Sequence, residues 1–269
     1  MQYNFIVDSH CHLNYLQETN NLDDIINEAN DNNVKIINNI CTKIEEIDDL
    51  IKICNKYENV YGSVGIHPSE IREKFITVEE LLQYTKNPKI KSIGETGLDY
   101  HFEPFDKKIQ KKNFEIHIEA SRKSQLPLVI HSRDCDNDMI DILQNEMKNG
   151  EFPFLLHCFS SGKELLYKAL DLNAYISISG IITFKKSIDL QNCLKDIPLD
   201  KLLVETDAPY LAPTPLRGNE NHPTYTKYTV QFIANYLNLD FNDLCCTTTK
   251  NFYKLFLKEF DKSNSSKSC

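Results

Sequence analysis

The stretch "DSHCHL" places two histidines, His10 and His12, on either side of Cys11, directly after the apolar run "NFIV". In a β-strand, side chains two positions apart point to the same face. The two imidazoles are therefore expected to reach one metal ion, while Cys11 points to the opposite face. Asp8, one period earlier, is expected to share the histidines' face as a buried support. The stretch alone also allows cysteine chemistry with histidine helpers, or a buried polar cluster without function.

Other ligand-type side chains also end apolar, strand-like runs. Each of them alone has an ordinary interpretation: Glu95 after "IKSIG" is compatible with a cap of the next turn, and Asp207 before "AP" with a turn residue. Seven such residues at the ends of six runs indicate a common site instead. The seven residues are His10, His12, His67, Glu95, His131, His157 and Asp207.

The chemistry that these residue types favour is metal binding. Four imidazole nitrogens and two carboxylates suit Zn²⁺, Mn²⁺ or a related divalent ion. That number of ligands exceeds one closed tetrahedral site, and it fits two ions that share a bridging carboxylate, as in two-metal hydrolysis. A non-catalytic metal scaffold is the weaker alternative, because structural sites are usually closed by four protein ligands.

The elements that must position these residues alternate along the chain. Apolar, β-branched runs of strand length are followed by amphipathic stretches of helix length in eight successive units, from "NFIVD" and "NLDDIINEANDNN" to "KLLVETDAPYL" and "TYTKYTVQFIANYLN". This pattern predicts an α/β fold, a single-domain TIM-type (β/α)₈ barrel with its active site at the C-terminal ends of the strands. A doubly wound open sheet is the alternative, but the first turn lacks the glycines typical of it.

The chain length and the tail suggest the domain limits. The 269 residues fit one barrel of typical size, ~250 residues. We expect the barrel to span residues 1–260. We expect the small, polar tail 261–269 to be disordered.

The overall charge restricts the partners. The chain carries 39 acidic and 30 basic residues, a formal charge of −9, so any site for an anion must be local. Arg133 follows His131 in "HSRD", and Arg217 lies in "PLRGNENHP" after the last strand, where barrels often bind phosphate. Arginine forms the better fork for phosphate. An ion pair with Asp134, for Arg133, and an exposed loop charge, for Arg217, are the alternatives.

Cysteine usage and hydropathy indicate the compartment. The nine cysteines include no Cys-x-x-Cys pair, which argues against a zinc ribbon, a thioredoxin motif or an iron–sulfur cluster. The N-terminus shows no signal-peptide pattern, and no apolar run approaches the ~20 residues of a membrane helix. We expect reduced thiols, a cytoplasmic location, no membrane association and no obligate protein partner.

These motifs together resemble the TatD-like deoxyribonucleases, metal-dependent hydrolases of the amidohydrolase-type barrel superfamily. The matching stretches, in family order from residue 8 to residue 223, are "DSHCHL", "VGIHPSE", "IGETGLDY", "LPLVIHSRD", "LLHCFSSG", "LLVETDAPYL" and "PLRGNENHP". His-x-His is a weak signal by itself, whereas "GETGLDY" and "ETDAPYL" are strong. Two details depart from the family pattern: Ser161 and Gly162 stand in reversed order, and His101 follows Tyr100.

The resemblance implies a cofactor, a ligand set and a substrate. The cofactor is two divalent cations per chain, Mg²⁺, Mn²⁺ or Zn²⁺. By motif position, one ion is held by His10, His12 and Asp207, the other by His131 and His157, and Glu95 bridges the two. The implied reaction is hydrolysis of DNA phosphodiester bonds at ends or in single strands.

The resemblance also implies roles in catalysis. Asp207 would act as general base or proton shuttle. His67, outside the ligand set, would orient a phosphate oxygen or protonate the leaving group. Arg133 and Arg217 would anchor flanking phosphates. Glu205 is expected one layer deeper than Asp207, either supporting the ligands or as a buried structural carboxylate.

Two features bear on the alternatives within the superfamily. Many relatives bridge their metals with a modified lysine from the fourth strand, but here that strand is expected to end at Glu95, and Lys91 lies at its start. This favours the TatD branch over the phosphotriesterase and dihydroorotase branches. A small-molecule hydrolase, of the lactonase or deaminase type, remains the alternative. Tyr100 is expected either to stack on a base or to pack.

Overall fold

The computed structural model describes residues 3–71, 75–101 and 103–258, and within them eight parallel strands form one sheet in the order β1 to β8. The strands are β1 (Ile6–Cys11), β2 (Val34–Ile40), β3 (Val60–Val64), β4 (Ile90–Asp99), β5 (Leu128–Arg133), β6 (Phe154–Leu156), β7 (Tyr175–Ile178) and β8 (Leu202–Val204). Contacts between β1 and β8 bring the sheet round into a nearly closed barrel. The predicted (β/α)₈ barrel is thereby confirmed, while the predicted disordered tail 261–269 lies outside the described residues.

Amphipathic helices cover the outside of the barrel. They are α1 (Leu13–Leu16), α2 (Leu22–Asp31), α3 (Ile47–Lys56), α4 (Val78–Tyr84), α5 (Lys107–Ser124), α6 (Asp136–Asn149), α7 (Lys163–Asp171), α8 (Ile188–Leu194), α9 (Thr226–Leu237) and α10 (Phe241–Phe252). In α3, Ile47, Leu50, Ile53 and Cys54 recur at helical spacing, and this is the face that is buried. No described helix is both long and apolar enough to cross a bilayer.

The seam between the first and last strands joins two of the predicted ligand segments. The Asp207 N–H donates to the His10 carbonyl oxygen over 2.9 Å, and the His12 N–H donates to the Ala208 carbonyl oxygen over 2.8 Å. Lower in the seam, the Ser9 hydroxyl donates to the Val204 carbonyl oxygen over 2.9 Å. Barrel closure itself therefore fixes Asp207 against the two histidines.

The opposite end of the barrel is sealed by apolar side chains. Residues near the strand starts, among them Val7, Val129 and Leu203, pack together with Phe252 and Phe256 from the C-terminal helical segment. Because this end is filled, the C-terminal ends of the strands provide the open end of the barrel.

The fourth strand differs from its prediction. It runs on to Asp99, so Glu95 lies in the middle of β4 and does not end it. Gly94 (φ +124°) and Gly97 (φ +138°) adopt backbone conformations that disfavour any other residue, and a Cβ on Gly94 would lie 2.5 Å from the Val129 carbonyl oxygen. The pairing with β5 shifts register between Ile93 and Thr96. The two glycines thus accompany a shift of strand register around Glu95. From the sequence alone, this shift resembles the end of the strand.

Candidate metal centre

A cavity of about 810 Å³ opens at the C-terminal ends of the strands, and six of the seven predicted site residues line it. These six are His12, His67, Glu95, His131, His157 and Asp207. The seventh, His10, is fully buried behind them, with its ring stacked on that of His157 at a centroid distance of 3.9 Å. Residues from six separate chain segments therefore meet at one place.

The first histidine pair converges on two carboxylates. His10 Nε2 and His12 Nε2 lie 3.3 Å apart. Asp207 Oδ1 lies 3.6 Å from the first nitrogen and 3.3 Å from the second. Glu95 Oε2 lies 3.3 Å and 3.8 Å from the same two atoms. Two imidazoles and two carboxylate oxygens thus surround one point.

The second histidine pair shares the same glutamate through its other oxygen. His131 Nδ1 and His157 Nε2 lie 3.4 Å apart. Glu95 Oε1 lies 3.0 Å from the His131 nitrogen and 2.7 Å from the His157 nitrogen. Each carboxylate oxygen of Glu95 therefore faces a different histidine pair.

The donor set fits divalent cations. Two nitrogens bound to one tetrahedral zinc ion at ~2.0–2.1 Å lie ~3.3 Å from each other, which is the spacing of both pairs. The Ile40 carbonyl oxygen, 3.1 Å from His12 Nδ1, can only accept a hydrogen bond, so Nδ1 carries a proton and Nε2 is the nitrogen left to bind a cation. Ligating histidines usually hold their second nitrogen in this way.

Glu205 lies beneath both pairs. Its Oε1 is 3.4 Å from His157 Nδ1 and accepts the Cys158 N–H over 2.6 Å. His10 belongs to the same buried group, whose ligand atoms all lie within 4.8 Å of one another, and its Nδ1 is buried like that of His157. Both ring nitrogens, and Glu205 Oε2, lack a properly oriented hydrogen bond among the described residues. A carboxylate at this place can accept the outer N–H of a histidine from each pair once their inner nitrogens bind cations.

The charges of the centre favour a cation. Burial works to raise the pKa of Glu95, but His157, His67 and His10 outweigh it and hold that pKa well below its usual range. Burial works to lower the pKa of His131, but hydrogen bonds with Asp99 and Glu95 outweigh it and raise that pKa. The carboxylates are thus ionised, the state in which they bind metal, and a bound cation would take the place of protons on the histidines.

His67 lies beside the second pair: its ring centroid is 4.4 Å from that of His131, and these two histidines form a candidate cation group with Glu95. Its Nδ1 accepts the Ser69 N–H over 3.1 Å, so the proton of the neutral ring is on Nε2, 3.6 Å from Glu95 Oε1. Burial lowers the pKa of His67 to about 3. A neutral ring with Nε2–H facing the cavity is a hydrogen-bond donor, and it is unsuited to bind a metal through that atom.

The two predicted phosphate-binding arginines are placed differently. Arg133 ends β5 and lines the cavity. Arg217 is exposed, lies outside the cavity lining, and its guanidinium stacks 4.2 Å above the Phe184 ring. Tyr100 packs: its ring stacks on that of Phe105, and its hydroxyl donates to Asp138 over 2.7 Å. Phe105, not Tyr100, lines the cavity.

Sequence reasoning missed two residues that support the site. Asp99 pairs with His131, and Asn221 holds the loop after β8; both lie inside motifs that were recognised. The alternation Glu95, Gly97, Asp99 was a signal for the first. Asp8 is buried as expected, and its carboxylate accepts hydrogen bonds from Thr206 and from the His10 N–H. The pairing of β1 with β2 shifts register between Asp8 and Cys11.

The chain is similar to known proteins over almost its whole length. A family model described as TatD related DNase matches residues 7–257. An uncharacterized metal-dependent hydrolase of Buchnera aphidicola subsp. Baizongia pistaciae is 40% identical over 255 residues, 94% of this chain and 96% of that protein. The uncharacterized metal-dependent hydrolase YcfH of Escherichia coli K12 is 36% identical, with the same coverage of 94% and 96%. The crystal structure of YJJV, a TatD homolog from E. coli K12, superposes with a TM-score of 0.87 at 21% identity, covering 96% of this chain and 99% of that chain.

Proposed function

The chain belongs to the TatD-related DNase family of metal-dependent hydrolases, and from this premise we propose that it hydrolyses phosphodiester bonds of DNA, at ends or in single strands, with two divalent cations. The cations are Mg²⁺, Mn²⁺ or Zn²⁺. His10, His12 and Asp207 would hold one, His131 and His157 would hold the other, and Glu95 would bridge them.

One observation carries this proposal. The two oxygens of Glu95 face separate histidine pairs, at 3.3 Å from His10 Nε2 and at 2.7 Å from His157 Nε2. A carboxylate so placed supports two adjacent cations, the arrangement that stabilises both the attacking and the leaving oxygen in phosphodiester hydrolysis. Cations held there supply positive charge to the phosphoryl oxygens and lower the pKa of water towards neutrality.

Asp207 is the proton acceptor for the attacking water. Burial works to raise its pKa, but its hydrogen bond with His12 and the charges of His10 and His157 outweigh it and keep the pKa below the usual range. The ionised carboxylate takes the proton while the water oxygen forms its bond to phosphorus.

His67 and Arg133 act on the other groups of the substrate. His67, whose neutral ring presents Nε2–H to the cavity, donates a hydrogen bond that orients a phosphate oxygen, and the leaving oxygen takes its proton from solvent as its bond to phosphorus breaks. Arg133, on the cavity wall, binds a non-bridging phosphate oxygen. Arg217 does not line the cavity, so it would bind only phosphates that lie outside the cavity.

The small-molecule alternative has less support. Lys91, the residue nearest in sequence to a bridging lysine, lies near the start of β4 with its Nζ 5.9 Å from the Tyr61 ring centroid, and it does not line the cavity. The acidic chain, with a formal charge of −9, favours ends or short single strands entering a cleft over long duplex tracking.

A degradation time course tests the proposal. End-labelled single- and double-stranded oligonucleotides are incubated with metal-free protein to which Mg²⁺, Mn²⁺ or Zn²⁺ is restored, and lactone and amide substrates run in parallel. We expect cleavage of the oligonucleotides alone. Asp207→Asn should abolish it while leaving the circular dichroism spectrum unchanged. Lactone or amide hydrolysis without DNA cleavage would reject the nuclease in favour of the small-molecule hydrolase.

A further inference from the structure

An exposed tyrosine lies at the rim of the cavity. Two tyrosines in the described part of the chain are exposed, Tyr167 at 46% and Tyr210 at 53%, and of these only Tyr210 lines the cavity. Tyr210 follows Asp207 by three residues in the loop after β8. A large aromatic ring left open to solvent beside a polar centre is available to a ligand.

The surroundings of Tyr210 leave room for a flat ligand. Its ring centroid lies 6.2 Å from that of His12 at an interplanar angle of 67°, and 6.5 Å from that of Tyr15 at 68°. Both contacts are edge-to-face, so neither ring is stacked parallel to Tyr210. Lys43 Nζ lies 5.7 Å from the Tyr15 ring centroid and pairs with Glu46 Oε1 over 3.0 Å.

Backbone contacts fix Tyr210 relative to the metal centre. Its N–H donates to the Asp207 carbonyl oxygen over 2.9 Å. Its own carbonyl oxygen accepts a hydrogen bond from Asn221 Nδ2 over 2.6 Å. Because Asn221 is fully buried, these contacts hold the backbone that carries the Tyr210 ring in place relative to Asp207.

We propose that Tyr210 is the stacking surface for the nucleobase next to the scissile phosphate. The proposal rests on the proposed function, in which the cations hold that phosphate. Aromatic side chains are the surfaces on which proteins stack unpaired bases without sequence preference. A base inside a duplex is already stacked on its neighbours, so this surface selects ends and single strands. The acidic charge of the chain acts in the same direction, because it disfavours long duplexes more than short single strands.

Dinucleotides test the contact directly. Thymidylyl-thymidine is compared with two analogues in which one thymine at a time is replaced by 5,6-dihydrothymine, which has similar size but a non-planar ring. The proteins, loaded with cations, are the wild type, Tyr210→Leu, Tyr210→Phe and Tyr167→Leu as the matched exposed control. Initial rates of hydrolysis give kcat and KM.

We expect one analogue, and not the other, to lower kcat/KM of the wild type by about 5- to 100-fold, mostly through KM. Tyr210→Leu should lose the same factor on the normal dinucleotide but show no further loss on that analogue. Tyr210→Phe keeps an aromatic ring and should retain the discrimination against that analogue, and Tyr167→Leu should behave as wild type.

Two outcomes would overturn the proposal. In one, the wild type hydrolyses all three dinucleotides equally well. In the other, Tyr210→Leu lowers kcat/KM by the same factor on the normal dinucleotide and on both analogues. If the wild type hydrolyses neither these dinucleotides nor the oligonucleotides of the degradation time course, the proposed function fails instead. Calorimetric titration with thymidine monophosphate and its dihydro analogue then decides the stacking contact, because only a base-stacking Tyr210 would bind the planar base more tightly and lose that preference on change to leucine.

Discussion

Asp99 and His131 form a pair in which the carboxylate holds one ring nitrogen while the other ring nitrogen faces the metal centre. Asp99 Oδ2 lies 3.0 Å from His131 Nε2, and His131 Nδ1 lies 3.0 Å from Glu95 Oε1. Burial works to raise the pKa of Asp99, but hydrogen bonds from His131 and from the His101 N–H lower it to about 2. An ionised Asp99 thus orients the ring and raises its basicity as a ligand.

Replacement of Asp99 should weaken metal binding at the second histidine pair. Asp99→Asn keeps the size of the side chain but removes its charge, so we expect the affinity for one cation to fall by ~10–100-fold. Isothermal titration of metal-free protein with Mn²⁺ or Zn²⁺ measures this. Asp138→Asn is the control, because Asp138 accepts hydrogen bonds from Tyr100 and Lys111 away from the histidines. Equal affinities for the two variants would contradict the role of Asp99.

Glu95 and Asp207 should differ in how many cations each one holds. Glu95 faces both histidine pairs, whereas Asp207 Oδ1 approaches only His10 and His12. We expect Glu95→Ala to lower both metal equivalents and Asp207→Ala to lower one, as measured by elemental analysis after gel filtration. Two retained equivalents in Glu95→Ala would exclude a bridging role.

The difference between the two arginines gives a prediction about the substrate. Arg133→Ala should raise KM for single-stranded oligonucleotides by roughly 10-fold or more, since a charged hydrogen bond contributes ~1.5–3 kcal/mol. It should also reduce the slope of log affinity against log salt by ~0.7, as one phosphate contact fewer is made. Arg217→Ala should leave the KM for a dinucleotide unchanged, because Arg217 stacks on Phe184 outside the cavity lining. If Arg217→Ala raised the KM for the dinucleotide more than Arg133→Ala does, Arg217 and not Arg133 would be the arginine that binds phosphate in the cavity.

The fold and the meeting of the site residues could be predicted because both depend on repeated local patterns. Apolar runs alternating with amphipathic stretches specify parallel strands covered by helices, and polar residues after those runs must meet at one end of a barrel. The prediction of Glu95 as a strand end was wrong, because Gly94 and Gly97 shift the strand register without ending the strand. The alternation of apolar and polar residues along the sequence does not reveal such a shift of register.

The supporting contacts could not be predicted, because they join residues far apart in the chain. Asp8 bonds with Thr206, which is 198 positions away, and Asn113 donates to the Ile66 carbonyl oxygen 47 positions earlier. Arg217 and Asn221 lie in the same recognised motif, yet one is exposed and the other fully buried. A motif identifies the loop, but only packing determines which of its side chains points inward.

Asn221 should stabilise the loop that carries Asp207 and Tyr210. Its Nδ2 donates to the Thr206 carbonyl oxygen over 2.9 Å and to that of Tyr210 over 2.6 Å. Asn221→Ala leaves two carbonyl groups without this donor, and we expect the free energy of unfolding to fall by ~1–3 kcal/mol. We also expect kcat to fall more than KM changes, because Asp207 loses its fixed position. Asn219→Ala, in the exposed part of the same loop, is the control for both measurements. Wild-type kcat in Asn221→Ala would show that the loop keeps its position without this contact.

His117 should make the stability of the protein depend on pH, independently of the metal centre. It is fully buried on α5, its Nε2 accepts the Ile66 N–H over 3.1 Å, and its Nδ1–H donates to the Asn113 carbonyl oxygen over 2.8 Å. Burial lowers the pKa of His117 to about 4. The folded state therefore takes up this proton at lower pH than the unfolded chain, whose histidine has a pKa of ~6.5.

Stability should accordingly fall as the pH drops from about 6.5 towards 4, since only the unfolded chain gains the proton in that window. Between pH 7 and pH 5 the contribution of His117 to the free energy of unfolding should decrease by about 2 kcal/mol. Urea unfolding of the wild type and of His117→Gln at both pH values isolates it, because the other titrating groups are common to the two proteins. His117→Gln is less stable at pH 7, where the imidazole fits its two partners, but it should lose about 2 kcal/mol less on acidification. An identical loss in both proteins would mean that His117 is not buried in its neutral form.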